Sequence, residues 1–445
     1  MNLFLILYII LVAFIVIRSH NKVLCNPFFW IICFWALIVG VYLSSGVNFG
    51  KYTLSPFLIL FLALCSIALY SGNRAGYKKK ITYSGNSKEH SHFLLISLGL
   101  LGIVLFLYDI FSLNGLFVFF GGVGLKVEYE TSIIGSIGVL LIPILLVEGL
   151  YLIADGLKNK NRFSILGLAL LLAYSVPCMI NNGRESLLYV VIGIIVLYGY
   201  KSFFYVKTKR KFSYKQLFPR VVIIGGLIFL GWIIVDISKG RFGENEIQVF
   251  LAENPVDSKT MDEARSWGNY EFLYYNIMSY FSHQISFLDF TLKEYNGPHM
   301  FGVYELNIIS RRLPESLGLD YKLVHAELNR LFSSKGVPFS GAWNTMLGSF
   351  IIDFGRIGAI LACYLCGYAI GRVRKKFKTT LELKYAVLVA LICLSAFSTV
   401  QLGPFYQIMI YGSYVWWIII YGNIFKRRIQ IINRHDENFE NNNSY

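Results

Sequence analysis

The chain has 445 residues, 56% of them hydrophobic and only 15% charged, with a formal net charge of +15. Soluble domains hold about 25% charged residues, so the composition excludes an ordinary soluble enzyme. It points to an all-α polytopic membrane protein.

Apolar stretches fall at 3–17, 27–44, 54–71, 92–112, 132–154, 163–180, 186–204, 221–238, 350–371, 385–401 and 405–424. Each is close to the length needed to cross a bilayer. About 11 transmembrane helices (10–12) are expected. The first stretch, Leu3 to Ile17, has no Lys or Arg before it and no small-residue cleavage site after it, so it reads as a span. Helices 1–8 occupy 1–238. A polar segment fills 239–343, helices 9–11 occupy 344–425, and 426–445 is a disordered tail.

The connections alternate in charge. The segments 18–26, 72–91, 155–162, 201–220, 372–384 and 426–445 hold 27 Lys and Arg. The short connections on the other side contribute only Lys51, Lys126 and Arg184. By the positive-inside rule the first set is cytoplasmic. The large segment 239–343 then faces outward, with 10 Lys/Arg and 13 Asp/Glu. Within it, Phe272 to Leu288 carries no formal charge but holds Asn276, Ser282, His283 and Gln284. Such groups are costly in hydrocarbon. This stretch is expected in the outer interface or packed under the outer segment, not as a further span. Glu148 lies deep in a span and needs an interhelical partner. No broken-helix pair of the transporter kind is read, and no internal repeat.

Several constellations can carry chemistry. Asn181 to Ser186 (NNGRES) is a tight outer turn in which Arg184 stands at a helix start. Free backbone N–H groups and a guanidinium fork suit phosphate oxygens there, although a capped turn has the same sequence. Lys239 and Arg241 follow the eighth span. They are either lipid anchors or ligands of a bound anion. Arg311 and Arg312 cap a helix or clamp a diphosphate. These five cations form the candidate diphosphate site. Trp267, Tyr274, Tyr275, Tyr280 and Tyr304 form the candidate glycan surface, since aromatic faces stack on sugar rings. His283, Asp289, His299 and His325 lie in the same segment and can each accept a hydroxyl proton. Asp353 and Arg356, spaced i,i+3, can pair on one helix face. Gly355, Gly358, Gly367 and Gly371 permit close helix packing. The seven cysteines avoid the outer segment, so no disulfide framework is implied. Cys363 and Cys366 have no second ligand pair, and no Walker A, HExxH or zinc pattern occurs. No metal or other cofactor is therefore expected.

The span number, the Gly183-Arg184-Glu185-Ser186 turn, the large outer segment and the NT…G.F..DFG.IG pattern of Asn344 to Gly358 resemble the O-antigen polymerases. These are the Wzy-type oligosaccharide repeat unit polymerases of Gram-negative bacteria. The resemblance covers the architecture of essentially the whole chain through short, degenerate motifs. It implies a GT-C-like membrane fold in the inner membrane with a periplasmic active face. It also implies glycosyl transfer between undecaprenyl-diphosphate-linked oligosaccharides, building lipopolysaccharide chains without metal or nucleotide. His283 or Asp289 would be the base, and the arginines would stabilise the leaving diphosphate. The implied partners are that lipid-linked glycan, the bilayer, and a chain-length regulator and flippase of the same pathway. No nucleic acid is expected. The alternatives are an O-antigen ligase, for which His325 in HAELNR is the candidate motif, and a non-enzymatic lipid-linked glycan flippase.

Overall fold

The computed structural model describes residues 25–44, 54–79, 91–114, 132–159, 164–180, 185–205, 247–248, 251, 256–304, 320–334, 345–399 and 408–422. Among these the regular structure is helical. The helices are α1 (Pro27–Ser44), α2 (Pro56–Lys78), α3 (His92–Asn114), α4 (Ile133–Leu141), α5 (Pro143–Asn159), α6 (Ile165–Ile180) and α7 (Glu185–Tyr205). They continue as α8 (Ser258–Ser266), α9 (Glu271–Glu294), α10 (Tyr321–Ser333), α11 (Met346–Thr380), α12 (Leu383–Ser398) and α13 (Ile408–Tyr421). Helix thus occurs at nine of the eleven expected spans; 3–17 and 221–238 lie outside the described residues. Four helical stretches are long and apolar enough to cross a bilayer: Pro56–Lys78, His92–Leu113, Ile133–Asn159 and Met346–Thr380. Five shorter apolar helices accompany them.

The helix starts follow local chemistry. Ser55 caps α2 by accepting from the Leu58 N–H, with Pro56 in the first turn. Ser132 caps α4 and Thr345 caps α11 in the same way. Pro143 divides one long apolar stretch into α4 and α5, because its ring cannot continue the hydrogen-bond ladder.

Two apolar clusters form the interior. One joins α1, α2, α9, α10 and α11, and the other joins α3 to α7 with α12 and α13. The tightest contact is between α2 and α11. A methyl group at Gly72 or Gly76 would fall on the carbonyls of Tyr364 or Tyr368. One at Gly367 or Gly371 would fall on those of Leu69 or Asn73. Two glycines four apart on each helix therefore let the backbones touch. Gly367 and Gly371 were expected to pack closely; Gly72 and Gly76 supply the other half.

The side chains mark two ends of the bundle. At one end Arg372 donates to the Lys79 carbonyl and Arg374 to Asn73 Oδ1, both at 3.1 Å. Lys158 and Tyr200 both donate to the Leu381 carbonyl there. Arg374, Lys375 and Lys378 lie within 6 Å of the Tyr77 ring. This is the basic end. Glu148 finds its partner on the same half, where its carboxylate meets His92 Nδ1 at 2.7 Å. The expected interhelical hydrogen bond is present.

The glycine contact gives a direct test. Gly72→Leu or Gly367→Leu should abolish monodisperse folded protein, a loss above about 3 kcal/mol, because backbone rather than a flexible side chain blocks the space. Gly40→Ala, where nothing lies within 4 Å, should leave the melting temperature unchanged or slightly raised. Size-exclusion chromatography and thermal melting of the detergent-purified variants read both outcomes.

Candidate functional site

The opposite end of the bundle carries the described part of the 239–343 segment. Helix α9 is its centre. Residues 284–292 of α9 are buried on every side, packed against α1, α2, α10 and α11. It is not among the helices apolar enough to span a bilayer. It packs against the other helices at this end of the bundle.

Asp289 is fully buried at the foot of α9. Its carboxylate accepts from the Ser55 backbone N–H at 2.9 Å and from Ser55 Oγ at 2.5 Å. Lys293 Nζ stands 3.6 Å away and is about one-third exposed. Asp289 thus holds the capping residue of α2 in place. The same device recurs at this end, where Asp109 accepts from the N–H and hydroxyl of Ser132, the cap of α4. A fully buried carboxylate engaged in this way acts as a clamp.

The start of α11 is interrupted at Gly355, with φ 72° and ψ 177°. This conformation is open to glycine but not to residues with a Cβ. The apolar pattern of this stretch carries no sign of a discontinuous helix. The break frees backbone groups, and the segment after α9 takes them up. Phe301 N–H donates to the Asp353 carbonyl at 3.0 Å. Tyr304 N–H donates to Asp353 Oδ1 at 3.0 Å. Arg356 does not pair with Asp353. Its guanidinium donates to the carbonyls of Leu292, Lys293 and Tyr295 at 2.6, 3.0 and 3.2 Å, capping the end of α9.

His299 sits against this break. Its Nδ1 is 3.0 Å from the Ile352 carbonyl. A carbonyl only accepts, so Nδ1 is the donor in this contact. His299 is exposed. His283 is different. It is half-buried beside Phe287, at 6.0 Å between ring centres, with its Nε2 enclosed, and desolvation pushes it well below the usual histidine range. A neutral imidazole so reluctant to accept a proton is a poor base. His325 lies against Tyr321, which in turn stacks on Tyr304.

The aromatic candidates divide. Tyr274, Tyr275 and Tyr304 are buried. Tyr274 donates to Glu263 at 2.9 Å, and burial together with Glu263 pushes its hydroxyl up to about 12. These three rings are engaged in packing and offer no face to a sugar. Trp267 is 48% exposed and braced edge-on by Tyr274 at 5.3 Å, so it alone of these four presents a free face. The side chain of Tyr280 lies outside the described residues, as do Arg184, Lys239, Arg241, Arg311 and Arg312. Among the described residues, no three His, Cys, Asp or Glu side chains converge as metal ligands would. Sequence reasoning missed Ser55, His299 as the favoured histidine, and the capping role of Arg356. Only the Ser55-Pro56 helix start was a readable signal.

Comparison with protein-family models, with characterised proteins and with solved structures returns no match for this chain.

Two measurements probe this end. Asp289→Ala should cost about 1–3 kcal/mol by stranding the Ser55 donors, with Asp289→Asn less severe because one acceptor survives; thermal melting reads both. His283 has a folded pKa below its ordinary value of 6.5, so the unfolded chain takes up the proton first. Its stabilising contribution is therefore complete above about pH 6.5 and is lost as pH falls below it. Melting temperature should drop from pH 7 to pH 5, and His283→Gln should flatten that slope.

Proposed function

We propose that this protein polymerises oligosaccharide repeat units carried on undecaprenyl diphosphate, at the periplasmic face of a bacterial inner membrane. The observation that carries the reading is polarity. The basic side chains gather at one end of the helical bundle, and the large polar segment docks through α9 at the other. Cations favour the cytoplasmic side, so the docked segment faces a compartment without nucleotides. Synthesis there needs a substrate already activated. A lipid-linked glycan diphosphate meets that need.

In this reaction the acceptor sugar's hydroxyl oxygen forms a bond to the anomeric carbon of the donor glycan. The bond from that carbon to the phosphate oxygen breaks, and undecaprenyl diphosphate leaves with the electron pair. The acceptor proton passes to a base. His299 replaces His283 and Asp289 in that role, since its Nδ1 is turned to the Ile352 carbonyl and the residue is exposed, whereas Asp289 is buried and the Nε2 of His283 is enclosed. Arg184, Lys239, Arg241, Arg311 and Arg312 meet the charge that grows on the diphosphate. Trp267 offers a stacking face to the glycan.

The test is the glycan ladder of a deletion strain carrying plasmid variants. Deletion should leave lipopolysaccharide core with one repeat unit, whereas loss of a ligase or flippase leaves core alone. Arg184→Ala should abolish the ladder with protein still in the membrane, and Arg184→Lys should be at least partly defective, because a point charge does not replace a guanidinium fork. Impermeant thiol reagents should label Ser334→Cys and spare Ser213→Cys in intact spheroplasts. The reverse labelling would overturn the orientation and the reading with it.

A further inference from the structure

The turn between α9 and α10 holds an aromatic ring in an unusual posture. Phe301 has φ 51° and is followed by Gly302 at φ 93°. A bulky residue at positive φ is strained and rare. The posture turns the ring outward, and it is 72% exposed. Its neighbours in the turn point the other way: Met300 and Tyr304 are buried in the core. The backbone is fixed in this shape by the hydrogen bond from Phe301 N–H to the Asp353 carbonyl.

The exposed ring is not isolated. The Phe354 ring lies against the same turn, within van der Waals range of Gly302, and is itself exposed. Below it on α11, Ile357, Leu361, Tyr364 and Leu365 are all exposed, and Ile357 is 85% so. Their spacing of four, three and one places them on one helix face. α11 is one of the helices long and apolar enough to cross a bilayer, and a face of this kind on its perimeter meets lipid tails. Depth follows from the register. Phe354 adjoins the break at Gly355, which lies 17 residues from Arg372 at the basic end, about 26 Å of helix rise. A hydrocarbon core is about 30 Å thick. Phe354, and Phe301 beside it, therefore stand at the far hydrocarbon boundary. Lys293, His299 and Arg356 lie around the same turn, polar groups suited to the headgroup zone.

We infer that Phe301 is a membrane anchor, a ring that the 295–304 turn inserts into the outer edge of the lipid bilayer, continuing the lipid-facing stripe of α11 past its break at Gly355. It pins the polar segment to the bilayer surface beside His299. The inference depends on α11 crossing a membrane and is independent of the proposed glycan chemistry.

Nitroxide labels read this directly. A cysteine-free chain carrying Phe301→Cys, Leu361→Cys or Asn296→Cys is labelled and reconstituted in phosphatidylglycerol–phosphatidylethanolamine liposomes. Collision with oxygen, which concentrates in lipid, is compared with collision with a water-soluble nickel chelate. The label at 301 should favour oxygen several-fold over nickel, as at 361, while exposed Asn296 favours nickel. A nickel preference at 301 would overturn the inference, and so would inaccessibility to both, which means protein covers the ring. Should the label at 301 disturb the turn, Phe301→Trp serves instead. Its added fluorescence over the parent should be quenched by lipids brominated near the glycerol end of the chain. No quenching of that increment would likewise overturn the assignment.

Discussion

The backbone contact between α2 and α11 is the constraint on which the described fold depends. Four glycines remove the side chains that would hold these helices apart, and the first apolar cluster is built around the result. In lipid there is little hydrophobic gain from bringing two apolar helices together, so close van der Waals contact must supply the attraction. The end opposite the basic side chains inherits its position from this pair. The cap of α2 receives Asp289, and the break in α11 receives the turn after α9. The basic end inherits it too, through Arg374 on Asn73 and the cations around Tyr77.

The end opposite the basic side chains is held by a small vocabulary of interactions used repeatedly. A buried aspartate takes both donors of a capping serine, at Asp289 with Ser55 and at Asp109 with Ser132. Arg356 closes the carbonyls of α9, and Asp353 collects N–H groups of the following turn. Each satisfies backbone groups that a helix end leaves open where water is scarce. The charged residues that look most chemical are largely spent this way. Among the described candidates, His299 and the face of Trp267 stay exposed.

The sequence was most legible where one element decides its own fate. Among the described residues the long apolar runs became helices at the expected places, and serine and threonine caps sit where α2, α4 and α11 begin. It was least legible where a residue's role is set by a distant partner. Asp289 reads as a candidate base in a polar segment, and its bonds to the distant Ser55 are not visible there. Tyr274, Tyr275 and Tyr304 read as a sugar platform because periodicity alone does not tell an aromatic core from an aromatic surface. Arg356 and Asp353 are correctly spaced for a pair, yet helix breakage at Gly355 sends each to a different backbone. A glycine in an apolar run permits such a break without announcing it.

The clamp of Ser55 by Asp289 also fixes an order of events in biogenesis. The two residues are separated by 234 positions. At roughly 5–20 residues per second, a ribosome needs on the order of 10–50 s to reach the aspartate after the serine has emerged. During that interval the head of an early helix waits with its donors unmet, and the glycine face beneath it has no mate until the ribosome has gone further still. The first half of the chain is thus inserted as an unfinished wall, and the last third arrives as its keystone. Any quality-control protease or insertase that attends this protein meets an open seam for most of its synthesis.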